Sequence, residues 1–338
     1  MAETTNPSSA SDAALRAKAV AATLEVKGPS RSLMMDAWYR LIRNKAAVAG
    51  MVVIILFFLV AIFANVIAPH NPLQMNSGKD YLPPVFVEKS AANKVGTSEF
   101  LLGTDTLGRD VLSRVIYGAR VSMIVGFLPT IIVLLVGTTV GLLAGFYGGT
   151  WDNLLMRLTD VIYAFPDILF FIVIMVSLRD TVIGNLFNGL FLLFVALALV
   201  NWVGDARIVR GQVLSLKNND FVEAARCIGA KDSRIMLKHI LPNSLGPIII
   251  VTALQIPGMI ITEAILGYLG LGLRPATDPR SFFITSWGAL LLEGQSAINV
   301  QPWMLLSPAI CVSLVVLAFT FLGDGLRDAF DPRLRGTS

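Results

Sequence analysis

The side chains able to do covalent or metal chemistry are sparse and scattered. Cys227 and Cys311 are the two cysteines, and His70 and His239 the two histidines. One cysteine lies in a charged stretch and the other inside an apolar run. They fit neither a metal spacing nor a disulfide with each other, and read as unpaired small side chains. The histidines belong to different connecting segments, so a metal site has no support. No G-x-x-x-x-G-K-S/T phosphate loop occurs, since Gly78-Lys79 is followed by Asp80 and lacks the glycine spacing. H-E-x-x-H and G-x-S-x-G are absent too. The expectation is a chain that is not by itself an enzyme and binds no cofactor. Two carboxylates stand in or beside apolar runs, Asp167 and Glu263. A charge there costs about 2.5–3.5 kcal/mol on insertion scales, so both must face protein, water or a partner rather than lipid. Asp167 follows Pro166, where a structural role outweighs a transport one. Glu263 sits deeper, after Pro257-Gly258, and either lines a pathway, contacts another subunit or supports helix packing.

One polar stretch has the spacing of a docking element. It reads "EAARCIGAKDSRIMLKHILPN", residues 223–243. Phe221, Ala224, Ala225 and Ile228 fall at i, i+3, i+4 and i+7 and make a narrow apolar stripe on a short helix. Asn218 or Asn219 can cap its start, while Asp220 and Glu223 suit the positive end of the helix dipole. Gly229 stands where the helix should stop, because glycine accepts the left-handed conformation of a C-terminal cap. Asp232 or Ser233 can start a second helix carrying Ile235, Met236 and Ile240, with Pro242 and Asn243 expected to end it. Two short helices at an angle, with small alanines on an exposed stripe, make a knob for a partner. A loop resting on lipid headgroups is the other reading open at this point.

The elements that hold this stretch are apolar spans. Of 338 residues 55% are hydrophobic and 15% charged, against about a quarter charged in a typical soluble domain, and the mean hydropathy is +0.70. Several uncharged runs reach the roughly 20 residues needed to cross a bilayer core. Six spans are expected, at 46–68, within 121–151, 158–178, 184–204, 246–271 and within 303–323. Pro166 and Asp167 interrupt the third; Pro129, Pro257 and Pro308 fall inside others, where each can kink its helix. Arg31, Arg40, Arg43 and Lys45 precede the first span, which puts the N-terminus inside. Six crossings return the C-terminus inside, in agreement with Arg327, Arg333 and Arg335. The segment 205–243 is then cytoplasmic, and carries Arg207, Arg210, Lys217, Arg226, Lys231, Arg234 and Lys238. Residues 69–118 are outside, and their end, from about 103, suggests an amphipathic helix lying in the outer interface and capped by Thr104 or Asp105. The net charge of +4 does not argue for nucleic acid, because the basic residues cluster beside apolar runs. Residues 1–32 are rich in Ala, Ser and Thr without an apolar signal-peptide core, and are expected to be a retained, poorly ordered cytoplasmic tail.

Residues 223–243 resemble the EAA-loop motif of permease subunits of binding-protein-dependent ABC importers. Glu223, Ala224, Ala225 and Gly229 match the motif, and Leu241-Pro242-Asn243 closes it. The resemblance covers about residues 31–335. "LLGTDTLGRDVLSRVIYGARVSM", "NWVGDARIVRGQVLSLKNNDFVEAA", "ILGYLGLGL" and "FLGDGLRDAFDPRLRG" are similar to the second permease of oligopeptide, dipeptide and nickel transporters, with "ARIVRGQVLSLKNNDF" leaning toward the oligopeptide branch. The resemblance implies an all-α integral membrane protein with the type I ABC importer permease fold, a transmembrane domain over 33–335 and an EAA coupling loop within 205–243. It also implies a sibling permease subunit, two ATP-binding subunits that carry ATP and Mg, an extracytoplasmic peptide-binding protein, and residence in the bacterial inner membrane. The expected cargo is a peptide, with nickel or another small solute as the variant on the same machinery. An ion-gradient-driven transporter would show internal repeats and broken helices at matched positions, which are not detected. A non-transporting membrane scaffold is the remaining alternative, and it would not copurify with an ATP-binding protein.

Overall fold

A computed structural model describes residues 33–87, 94–278 and 280–331. The tail expected at 1–32 and the basic residues Arg333 and Arg335 lie outside the described residues. Among the described residues no strand forms beyond an isolated antiparallel bridge between Thr104 and Asp110. Five helical stretches are long and apolar enough to cross a membrane, and a sixth candidate is a helix pair bent by 79°.

Helix α1 (Leu33–Leu41) leads into α2 (Lys45–Ile62), whose start is fixed by Asn44. Its side-chain oxygen accepts from the backbone N–H groups of Ala46 and Ala47 at 3.1 and 3.2 Å, satisfying donors that a helix start leaves free. Past Lys45 this helix has no polar residue. Gly50 lets it approach the last long helix so closely that an added Cβ would stand 2.5 Å from the Ala318 carbonyl oxygen.

Helix α3 (Val111–Tyr147) departs from the expectation of two elements. Residues 104–110 are not helical, and the helix that begins at Val111 runs past 118 without a break, so no separate interfacial helix forms there. Asp110, rather than Thr104 or Asp105, provides the cap by accepting from the Ser113 N–H at 3.0 Å. Arg109, Asp110, Ser113 and Arg114 are buried, although an amphipathic surface helix would have exposed them. Arg109 and Arg114 each reach Asp105 at 2.6 Å, and both also pair with Glu293. Charges can leave water here because each finds its opposite. The polar face that the sequence assigned to solvent instead binds the 69–110 segment to the helix carrying Glu293.

After Gly148 the chain forms α4 (Gly149–Tyr163) and α5 (Asp167–Ser177). Pro166 stands at the start of α5; its missing N–H and its restriction on Phe165 break the expected third span in two. Helix α6 (Leu190–Leu216) starts later than expected and continues well beyond 204. Arg207 and Arg210 therefore sit on a span helix rather than in a loop. They hold α4 alongside, Arg207 through Asp160 at 2.7 Å and Arg210 through both oxygens of Asp152 at 2.5 and 2.7 Å.

The helices α3 and α6 meet along Gly137, Gly141 and Gly145. A Cβ at these positions would stand 2.6–2.7 Å from atoms of Asp205, Ala206, Val209 or Val213. Lipid offers no hydrophobic drive for helices to associate, so close approach over small residues supplies the contact. Helix α7 (Asp220–Cys227) follows. The next long helix begins earlier than expected: Asp232–Ile235, a π turn at Met236–Ile240 and α8 (Leu241–Tyr268) form one rod. Pro242 does not end it. The π turn shifts the bonding register, with the Leu241 N–H on the Met236 carbonyl, and leaves proline in the first turn of α8, where no N–H is needed.

Helix α9 (Trp287–Ser296) was not expected from the sequence. Ser286 caps it by accepting from the Ala289 N–H at 3.2 Å. Trp287 is fully buried, donates to the Val115 carbonyl at 3.0 Å and meets Phe57 edge-on at 5.4 Å. Helix α10 (Trp303–Phe330) closes the fold against α2 and α8.

Candidate functional site

Helix α7 stands between α6 and the rod that becomes α8. Asn219 occupies its cap position in extended conformation but makes no side-chain cap bond. Its end is better defined. Gly229 has φ +78°, its N–H bonds the Arg226 carbonyl at 2.9 Å, and the Ala230 N–H bonds the Ala225 carbonyl at 3.0 Å. That pair of bonds is a Schellman cap, and the left-handed residue it requires is glycine at lowest cost. The expected stop at Gly229 and the geometry agree.

The expected apolar stripe divides. Ala225 is 5% exposed and turns inward with Val222. Both join a cluster with Leu142 and Phe146 of α3, Val213 of α6, and Ile235 and Ile240 of the rod. Ala225 is thus a packing residue and not part of an exposed stripe. Helix position explains this, since Val222 and Ala225 are three residues apart and share a face. Phe221, Ala224 and Ile228 remain outside, with Ile228 85% exposed, and Glu223 and Gly229 are exposed beside them. A large aliphatic side chain this open on a short polar helix is the kind of surface that a groove in another protein covers.

The underside of α7 is tied to the spans. Arg226 lies over the Phe146 ring at 5.7 Å, and Lys217 donates to the Gly145 carbonyl at 3.1 Å, near the end of α3. The Lys217 bond satisfies one of the carbonyls left free at a helix C-terminus and places a cation at its negative end.

Glu263 lies elsewhere, in α8. It has no exposure, and Ser122 donates to its Oε2 at 2.9 Å. Its Oε1 is buried without a hydrogen-bond partner among the described residues. Within the chain, Glu263 joins α8 to α3 through Ser122, whose hydroxyl also accepts from the Trp287 backbone N–H at 3.4 Å at the start of α9. Asp167 is exposed at the start of α5. The sequence reading missed Asp205, 5% exposed in α6, whose only signal was an acidic residue inside "NWVGDARIVR".

No metal-binding cluster of three or more His, Cys, Asp or Glu occurs among the described residues. Known proteins are similar to this chain along most of its length. Residues 137–336 match the binding-protein-dependent transport system inner membrane component family, and residues 32–84 match the N-terminal transmembrane domain of oligopeptide transport permease C. The dipeptide transport system permease protein DppC of Bacillus subtilis is 39% identical over 92% of this chain and 89% of its own. The oligopeptide transport system permease protein OppC of Haemophilus influenzae is 41% identical over 92% of each. Among solved structures, the inward-facing MetNI methionine ABC transporter contains a chain of the same fold, with TM-score 0.50 and 17% identity, covering 64% of this chain and 97% of that one. An all-helical multi-pass membrane chain with these matches belongs to the family of inner membrane components of binding-protein-dependent transport systems.

Proposed function

We propose that this chain is a permease subunit of an ATP-driven importer that moves peptides into the cell by alternating access. It pairs with a homologous sibling so that the path forms between them. Two ATP-binding subunits carry ATP and Mg and hydrolyse the nucleotide, and an extracytoplasmic peptide-binding protein delivers cargo. The chain itself has no ATPase activity. It resides in the bacterial inner membrane with both termini and the 205–243 segment on the cytoplasmic side.

In this reading α7 is the coupling helix. Phe221, Ala224 and Ile228 enter a groove of an ATP-binding subunit, Glu223 sets the orientation, and Ala225 and Gly229 hold the shape of the knob. The observation that carries it is the exposed Phe221, Ala224 and Ile228 face on a capped helix whose other side is packed into the spans. Peptide cargo is supported by the relatives, which are named for dipeptide and oligopeptide transport.

The test is uptake in vesicles holding the permease pair, the ATP-binding subunits and the binding protein. ATP-dependent accumulation of a short peptide is expected, with the membrane potential collapsed. Glu223→Lys and Ala224→Arg should abolish it and release the ATP-binding subunits during purification. Uptake that continues at the unmodified rate in Ala224→Arg, with those subunits still bound, would refute the coupling role.

A further inference from the structure

The break between α4 and α5 opens a cavity of about 380 Å³ against α6 and α8, lined by Tyr163, Asp167, Asn201, Asp205 and Gln255 among aliphatic side chains and a glycine. The volume is within the range of small-molecule sites, roughly 300–1,000 Å³. Two of its acceptor atoms have no donor. The Asp205 Oδ2 has no hydrogen-bond partner, although the residue is only 5% exposed. The amide of Gln255 spends its N–H on the Asn201 carbonyl at 3.2 Å, which leaves its Oε1 without a partner as well. The amide of Asn201 bonds the Leu197 carbonyl at 2.8 Å. Asp167 adds a second carboxylate on the exposed side.

The neighbouring cations do not answer this demand. Arg207 is engaged with Asp160 and lies over the outer ring of Tyr163 at 4.3 Å, and Arg210 is engaged with Asp152. Neither lines the cavity. Asp205 packs closely on Gly137 of α3, where an added Cβ would stand 2.6 Å from the Asp205 Cβ. A buried, unpartnered acceptor inside a membrane helix is costly to keep. A guest with several N–H donors and a positive charge would satisfy Asp205, Gln255 and Asp167 together. The absence of histidine and cysteine from the lining, and its aliphatic remainder, suit a primary ammonium on a short carbon chain better than a bare metal ion.

We propose that this cavity is a transient binding site for the ammonium end of the cargo on its way through the permease. The inference rests on the peptide-import reading and adds to it the charge that the path recognises. A cationic terminus gains both hydrogen bonds and charge attraction from this lining, so the site favours the ammonium end of a zwitterionic peptide.

The experiment uses the complete transporter in vesicles, with uptake of trialanine inhibited by n-propylammonium or n-propanol added to both faces at matched ionic strength. Propylammonium should inhibit and propanol should not. Asp205→Asn should raise the half-inhibitory concentration roughly tenfold or more, the range for losing a hydrogen bond to a charged group, while Asp205→Glu keeps it near the original. Should Asp205→Asn fail to assemble, Gln255→Leu and Asp167→Asn give the same reading. Equal inhibition by both compounds, or an unchanged half-inhibitory concentration in an assembled Asp205→Asn transporter, would overturn the site. Vesicles that never accumulate trialanine with ATP would instead defeat the import reading. In that case, line broadening of propylammonium on the purified complex still reads the site, and broadening equal to that of propanol would overturn it.

Discussion

Replacing Gly141 with alanine adds one methyl group where α3 and α6 approach closely. The new Cβ would stand 2.6 Å from the Ala206 carbonyl oxygen, 2.7 Å from the Val209 Cβ and 3.0 Å from the Arg210 backbone nitrogen. Two of these three atoms are main chain and cannot rotate aside. Ordinary contact begins near 3.4 Å, so the helices must part by roughly 0.8 Å or bend. Overpacking of this kind costs about 1–3 kcal/mol. Alanine returns about 0.5–1 kcal/mol by removing a glycine from a helix interior. The expected net loss is about 1.3 kcal/mol at the midpoints of these ranges, within limits of about 0–2.5 kcal/mol, and the midpoint is close to a tenfold shift in the unfolding equilibrium. Gly211, on α6 itself, supplies the control, because a Cβ there meets nothing within 4 Å. Gly211→Ala should match or exceed the original stability in the isolated subunit. Both variants would be unfolded from detergent micelles under identical conditions. The same displacement moves Leu142 and Phe146, on which Val222 and Ala225 pack, so ATP-dependent uptake should fall in Gly141→Ala as well. If Gly141→Ala proves as stable as Gly211→Ala, the close approach of α3 and α6 is wrong, and with it the placement of Asp205.

Two further outcomes follow from charge and capping. Asp105→Ala leaves Arg109 and Arg114 sharing Glu293 alone, and a broken buried pair costs about 3–5 kcal/mol. Glu99→Ala removes only the exposed partner of Lys79 and should cost about 0–1 kcal/mol, so thermal unfolding of the two variants side by side separates them. Gly229→Val forces a β-branched side chain into φ +78°, at a cost of about 1–2 kcal/mol or more. The spans should survive that change, so uptake should drop while the detergent melting midpoint holds.

How far the sequence revealed this molecule depended on the range of the interaction involved. Uncharged runs identify spans because lipid demands it of each one separately, and Gly229 identifies the end of α7 because the backbone demands it locally. Pro166 was readable as an interruption, but the 79° bend it permits depends on how α4 is held by Arg207 and Arg210 from another helix. Pro242 misled for the matching reason: a π turn upstream absorbs it, and nothing in the local residue types announces a π turn. The greatest departure lies in "GTDTLGRDVLSRVIYGAR". Its charges look like a surface face until Glu293, far along the chain, is seen to pair with Arg109 and Arg114. Helix α9 was missed because its apolar run, Trp287 to Leu292, is far too short to mark a span, and only the packing around Trp287 shows why it is buried.

The same distinction bears on how the knob could act. Helical spacing places Ala225 on the partner-facing stripe with Phe221, Ala224 and Ile228, whereas packing turns it toward the spans, and this alters what α7 can transmit. A helix touching the bundle only at its ends would swing when pushed. Here Val222 and Ala225 rest on α3, α6 and the rod at once, while Lys217 ties the end of α6 to the Gly145 carbonyl of α3. The rod then runs without interruption into α8, which carries Gln255 and Glu263. Under the proposed function, a push on Phe221 and Ile228 therefore shifts a packed cluster rather than a hinge, and packed cores switch between discrete arrangements more readily than they deform. Enlarging Ala225 should accordingly uncouple transport by displacing α7 from the spans, with the ATP-binding subunits still retained. Ala225→Leu measured beside Ala224→Arg discriminates the two faces. Loss of those subunits from Ala225→Leu to the same degree as from Ala224→Arg would show that the inward face is not what holds the knob.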